Sequence, residues 1–173
     1  MNNINEDLDK RVVINTNTLS WTPSPVLGVE RKVLEKCSTR ETSVVRYHAG
    51  SSYSPHCHHQ GEEIFVLEGT FSDEQGDFPA GSYIRNPPGS FHQPYSRYGC
   101  IIFVKLQQMT LSEITSVHID TDREQWKKSN FSGIDVITLY CDSHENVDIV
   151  RYQAGAKLPL IHYPSGQELL VIE

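Results

Sequence analysis

The sequence predicts an all-β protein, a sandwich or small barrel that is duplicated and whose second copy is cut short. Three observations lead there. Short β-branched and aromatic segments alternate with Gly, Pro and Asp turn signals, and almost nothing carries a helical period. Residues 12–68 align without a gap with residues 117–173, a constant offset of 105. Within the first copy, His and Glu residues fall at intervals that let neighbouring strands bring them to one point.

Taken in order, strands are expected at 11–15, 29–35, 43–47, 63–68, 81–85, Cys100–Leu106, 136–140 and 147–152, each a short run of Val, Ile, Tyr or Phe. The intervening turns are marked by Ala49 with Gly50, Gly69 with Thr70, the run Glu74-Gln75-Gly76-Asp77, Pro87-Pro88-Gly89, and Ala154 with Gly155. Only 111–115 and 122–128 read as short helical turns. Many close-spaced strands of this kind build a sandwich or small barrel.

The self-alignment holds 17 identities in 57 positions, where unrelated sequences of this composition would share roughly one in sixteen. The matches include Trp21/Trp126, Gly28/Gly133, Arg46-Tyr47/Arg151-Tyr152, Gly61/Gly166 and Glu63/Glu168. A constant offset at that density argues for duplication of one structural unit. The division expected is 12–116 for a complete unit and 117–173 for a partial one, with nothing corresponding to 69–116 in the second. A β unit cut there is a fragment, or completes its sheet against the first unit or another copy.

Composition excludes several functions. The net charge of −7 is spread along the chain and no Lys/Arg stripe forms, so nucleic acid is not an expected partner. No apolar run approaches the roughly 20 residues of a membrane span. Met1-Asn2-Asn3-Ile4-Asn5-Glu6-Asp7 has neither the basic nor the apolar region of a secretion signal. Cys37, Cys57, Cys100 and Cys141 are scattered without paired spacing, which fits a reduced, cytoplasmic setting.

The chemistry-bearing residues lie in two segments. One runs Gly50, five residues, His56, one residue, His58, three residues, Glu62, six residues, Gly69; the other runs Gly81, five residues, Pro87, one residue, Gly89, two residues, His92. On a strand His56 and His58 share a face and Cys57 points away, Glu62 returns on an antiparallel strand after the His59-Gln60-Gly61 turn, and His92 enters behind Pro87-Pro88-Gly89. Three imidazoles and one carboxylate suit a first-row divalent metal: Zn, Fe, Mn or Ni.

These segments resemble the two motifs of the cupin superfamily, with Ser96 replacing the Asn often found four residues after the last His. More closely, Gly61-Glu-Glu-Ile-Phe-Val-Leu-Glu-Gly69 and Gly81-Ser-Tyr-Ile-Arg-Asn-Pro-Pro-Gly-Ser-Phe-His92 resemble the cupin domain of ChrR-type anti-sigma factors, over roughly 21–106. The resemblance implies a double-stranded β-helix, or jelly-roll, barrel with metal at His56, His58, Glu62 and His92, and with the repeat it implies a bicupin. It also implies a homodimer and a small-molecule ligand or substrate. Related stand-alone cupins include Fe(II) dioxygenases that cleave diketones or aromatic hydroxyketones. In ChrR a helical zinc domain precedes the cupin and seizes the sigma factor; here about ten polar residues without a Cys/His cluster precede the first strand, so sigma-factor binding is not expected.

Other residues sort around that set. His59 reads as a solvated turn histidine, and Glu63, kept in the repeat as Glu168, reads as structural beside the ligand Glu62. The second unit has Ile161, Tyr163 and Gln167 where the first has His56, His58 and Glu62, so no metal is expected there; His162 falls one register step off. Tyr53, Tyr83, Phe65, Phe91 and Phe103 line the pocket or fill the core, and Arg85 and Lys105 either orient an anionic ligand or serve as surface or salt-bridged residues.

Overall fold

The computed structural model describes residues 3–173; Met1 and Asn2, part of the N-terminal stretch read for a leader, lie outside the described residues. The chain divides into two compact units, one up to His118 and one from Ile119. In chain order the first unit holds β1 (Thr22–Pro23), β2 (Val29–Lys36), β3 (Glu41–Tyr47), β4 (Ser51–Ser52), β5 (His56–Cys57), β6 (Glu62–Asp73), β7 (Gly76–Pro79), β8 (Ser82–Asn86), β9 (Phe91–His92), β10 (Tyr95–Ser96) and β11 (Cys100–Leu106). The division between the units falls within β12 (Val117–Asp120), after which come β13 (Lys127–Lys128), β14 (Ile134–Cys141) and β15 (Asn146–Tyr152).

The first unit is an antiparallel jelly roll whose strands run in the order β1-β2-β3-β11-β6-β10-β4, with β7 and β8 also paired to β6. The twelve-residue β6 serves both layers: its first half pairs β8 and β11, its second half β7 and β10. Inward residues alternate along the strands, as Cys100, Ile102 and Val104 do on β11 and Ile64 and Val66 on β6. They meet Val29, Val45, Tyr47, Phe71 and Ile84 in one core cluster.

The change of layer along β6 depends on Gly69. Its φ of +71° is left-handed, and a Cβ there would lie 2.1 Å from the Gly99 carbonyl oxygen. The close approach lets Cys100 pair with Gly69, just beyond the one-residue register shift between Ile101 and Ile102.

Arg85 is a buried charge with carboxylate partners. Arg85 on β8 donates Nε and Nη2 to the two oxygens of Glu113, at 2.5 and 2.9 Å, and Nη1 to Glu63 at 2.6 Å. It is therefore a tie between β8, β6 and the segment that follows β11, and its guanidinium is committed to those carboxylates rather than exposed to a ligand. That segment also sets Met109 against Gly61, with the Gln107 and Met109 N–H groups donating to the Gly61 and Gln60 carbonyls.

In the second unit, β13, β14 and β15 each lie 105 positions after β1, β2 and β3. The pairings match as well: Ile134 faces Tyr152 as Val29 faces Tyr47, and the ladder skips Leu139 as it skips Leu34. Arg151 stacks 4.3 Å from the Trp126 ring centre and bonds Asp135, as Arg46 stacks 4.2 Å from Trp21 and bonds Glu30. Residues 153–173 form no strand.

Several expected elements differ. Residues 11–15 form no strand and find no partner among the described residues, leaving Val13 74% exposed, because β-propensity without an adjacent edge cannot hold a ladder. Of the two expected helical turns, 111–115 is an ordinary turn and 122–128 keeps only the 3-10 turn Thr121–Arg123, capped by Asp120. Neither stretch has an apolar stripe to pack.

Two substitutions test this account. Gly69→Ala should cost clearly more stability in urea unfolding than Gly50→Ala; Gly50 has a similar φ of +77° but nothing within 4 Å of a Cβ, so it measures the conformational cost of about 1–2 kcal/mol alone. Arg85→Met strands two carboxylates and should cost about 3–5 kcal/mol.

Candidate metal centre

His56 and His92 sit directly opposite each other on the two-residue ladder of β5 and β9, with Cys57 opposite Phe91. His58 follows β5 and is clamped at both backbone groups by the proline turn: its N–H donates to the Ser90 carbonyl at 3.0 Å, and its carbonyl accepts from Gly89 at 2.7 Å. Glu62 opens β6 after the left-handed Gly61, φ +76°. The expectation that Glu62 lies on the strand returning beside β5 is corrected. Among the described residues β5 pairs only with β9, while the start of β6 pairs with β8 and β11, so the carboxylate arrives from the main sheet.

The four side chains converge. One ligand atom from each of His56, His58, Glu62 and His92 lies within 4.8 Å of the others, the one such group found among the described residues. The imidazole ring centres are 4.7 to 4.9 Å apart. The Nε2 atoms of His58 and His92 each stand 3.4 Å from Glu62 Oε2. Both nitrogens are buried and neither has a hydrogen-bond partner. Two atoms bound at about 2.1 Å to one tetrahedral ion lie about 3.4 Å apart, so the spacing fits a shared cation.

Outer partners orient three of the four. His56 Nδ1 meets the Ser54 carbonyl at 3.0 Å, His92 Nδ1 meets Asp73 Oδ2 at 3.1 Å, and Asn86 Nδ2 donates to Glu62 Oε2 at 3.2 Å. The first two bonds place the ring proton on Nδ1 and leave Nε2 as a donor lone pair, as metal-bound imidazoles require. On one side stands an arc of rings: Tyr53 is 5.9 Å from His56, Tyr47 is 5.9 Å from both Tyr53 and Phe71, and Phe71 is 6.1 Å from His92. The Tyr53 hydroxyl in turn accepts from Arg31 Nη2 at 3.0 Å and contacts Ser24 Oγ at 2.6 Å.

Burial, with the neighbouring His92 and His56 charges, holds His58 below the usual imidazole range against the pull of Glu62. Burial acts on His92 in the same sense, but there the bond to Asp73 and the charge of Glu62 outweigh it and raise its pKa. Burial opposes the Asp73 charge too, yet the bonds from His92 and the Gln75 N–H hold its carboxyl below the ordinary value.

Of the other residues considered in the sequence, His59 is exposed, Glu63 is bound to Arg85, Tyr83 is core, Phe91 is exposed and Tyr53 lies beside His56. Burial pushes the Cys100 thiol up to about 11, which leaves it inert. Ser96, at the position where cupins often carry Asn, is buried and donates to the Thr70 carbonyl at 2.6 Å. Ile161, Tyr163 and Gln167 supply no comparable donor set, and His162 is exposed. Two residues that sequence reasoning missed are Asp73 and Asn86, neither of which holds a defining position in the two motifs.

A family model described as the ChrR cupin-like domain matches residues 9–110. The chain belongs to that family, and the fold of its first unit is a cupin jelly roll. A candidate dioxygenase from Nostoc punctiforme is similar in structure, at 16% identity and TM-score 0.67, covering 79% of this chain and 59% of that one. An acetylacetone dioxygenase from Acinetobacter johnsonii matches at 18% identity and TM-score 0.50, covering 68% and 91%. The polyketide cyclase RemF from Streptomyces resistomycificus matches at 16% and 0.51, covering 62% and 84%. At these identities the likeness is one of fold. A comparison with curated proteins finds no match. Among the described residues no helix is long and apolar enough to cross a membrane.

The two buried imidazoles should titrate apart. In metal-free protein followed by histidine C–H resonances, His92 should hold its proton to higher pH than His58. Its raised value means that charged His92 stabilises the metal-free fold below the unfolded imidazole value of 6.5, and that this contribution fades as pH rises through the folded value.

Proposed function

We propose that this chain is a ChrR-like metal-binding cupin that holds one divalent cation through His56, His58, Glu62 and His92 and binds a small ligand on the open side of that centre. The observation that carries the reading is the pair of buried Nε2 atoms, on His58 and His92, facing one carboxylate oxygen with no hydrogen-bond partner. Left so, they forfeit about 1–3 kcal/mol each in desolvation; a cation satisfies both at once. Zinc and iron suit the donor set best, and manganese and nickel are compatible with it. The reduced, cytoplasmic setting suggested by the scattered cysteines goes with this reading.

The chain's own residues supply the rest. Asn86 steadies Glu62, and the proline turn steadies His58. The arc of Phe71, Tyr47 and Tyr53, with rings inclined at 55° and 85° to one another, offers an apolar wall beside the imidazoles, poor in competing water. We read 12–116 as the metal-binding unit and 117–173 as a partial second copy without ligands, on the matching strands, register and skipped leucine. The repeat of Arg46 with Trp21 as Arg151 with Trp126 supports a structural role for that stack, since the second unit lacks the donors. A homodimer remains part of the proposal, resting on family resemblance.

A second reading is a non-haem Fe(II) dioxygenase acting on a small diketone or aromatic hydroxyketone. The observation favouring it is the donor count: four protein atoms leave two positions on a six-coordinate ion. Iron in such a site supplies oxygen activation beside a chelated carbonyl compound.

Metal analysis of protein purified without chelator should find about one equivalent per chain, not two. His58→Ala and His92→Ala should each reduce retention at least tenfold while the chain stays folded. Protein that holds no added Zn(II), Fe(II), Mn(II) or Ni(II), or a His58→Ala/His92→Ala variant that binds as wild type, would refute the reading. Oxygen uptake by iron-loaded protein over a panel of β-diketones and hydroxyketones separates the two readings: tight zinc without uptake favours ligand binding, and uptake abolished by Glu62→Gln favours the oxygenase.

A further inference from the structure

The three imidazoles of the centre are not equivalent, and the difference lies behind them. His56 backs onto a neutral carbonyl at a partly exposed position. His92 backs onto Asp73, whose side chain has no solvent exposure and whose Oδ2 lies 3.1 Å from His92 Nδ1. The other Asp73 oxygen is fixed by the Gln75 N–H at 2.7 Å, so the carboxylate cannot swing away without losing that bond. Ser72 beside it turns instead to Asp77, at 2.6 Å. A fully buried carboxylate is costly to keep, and among the described residues His92 is the one titratable side chain shown within hydrogen-bond reach of it. It belongs to the end of β6 that lies in the second layer, opposite Gly76 of β7, so the carboxylate reaches the centre from a different sheet than Glu62 does.

We infer that Asp73 is a positioning residue of the metal centre, which locks His92 with its proton on Nδ1 and its Nε2 lone pair aimed at the cation. The inference rests on the proposed metal binding. A carboxylate has no N–H or O–H to offer in its charged form, so it accepts only the Nδ1–H tautomer; it also makes the imidazole a stronger electron donor. Asp73→Asn removes this constraint. The amide can present its NH₂ to Nδ1, which moves the ring proton to Nε2 and closes that nitrogen to the metal.

Zn(II) affinity measured by competition with a chromophoric chelator should therefore fall about 10–100-fold in Asp73→Asn. Ser72→Ala, which deletes the adjacent, partly buried bond to Asp77 without touching His92, should leave affinity within about twofold while lowering stability in urea unfolding. The visible spectrum of the Co(II)-loaded protein should shift in Asp73→Asn and not in Ser72→Ala. Should Asp73→Asn fail to fold, nitrogen-15 chemical shifts of the wild-type Zn(II) protein decide the matter, with Nδ1 of His92 protonated and Nε2 carrying the metal. Unchanged affinity in Asp73→Asn, equal losses in both variants, or metal on Nδ1 would overturn the inference. Failure of wild type to bind any metal would instead overturn the proposed function itself.

Discussion

The structure is organised around a polar cluster that an apolar barrel cannot hold without compensation. Glu62, His58 and His92 are all buried, and the nitrogens of the two histidines point at one carboxylate oxygen without bonding to it. Buried polar atoms are normally paired, and exceptions mark a place where something else completes the set. Everything near the cluster is fixed independently of a cation: Gly61 turns the chain so that Glu62 begins β6, the proline turn grips His58 at both backbone groups, and the β5–β9 ladder sets His56 against His92. The donors are thus preorganised, and a metal would find its ligands already oriented rather than gathering them.

That preorganisation explains why so much of the centre was legible in the sequence. Each candidate donor sits at a fixed count from a residue with a backbone duty, such as Gly61 before Glu62 and Pro87 and Gly89 before His92. Those duties survive translation into spacing. The core strands were legible for a similar reason: Cys100–Leu106 alternates inward and outward over its full length and was read with its true limits. Strands of two residues, such as β4, β5 and β9, are too short for any period to register. Asp73 was invisible on other grounds. It lies 19 residues before His92, on the far end of a strand that changes layers at Gly69, and only the folded chain brings the two together.

The second unit sharpens the distinction between what the fold requires and what the site requires. Residues 134–152 reproduce the register of β2 and β3, the skipped leucine and the Arg-on-Trp stack. The positions matching His56, His58 and Glu62 carry Ile161, Tyr163 and Gln167. Backbone geometry and ligand chemistry therefore vary separately in this chain. Residues present in both units, Arg46 and Trp21 among them, answer to the sheet, whereas the donors are confined to one.

Arg85 ties these two levels together. It lies beside Asn86, which bonds Glu62, and its partner Glu63 lies beside Glu62 itself; the cross-strand pairs Glu62–Asn86 and Glu63–Arg85 are consecutive. Successive residues on a strand face opposite ways, so Glu62 and Asn86 look into the barrel while Glu63 and Arg85 look out under the segment carrying Glu113. A one-residue slip of β6 would turn Glu62 away from the cluster and bring Glu63 inward in its place. The outer ion pair opposes that slip, because two carboxylates hold the guanidinium on its own side of the sheet. The inner geometry of the centre is in this way secured from outside, by charges that never meet a ligand.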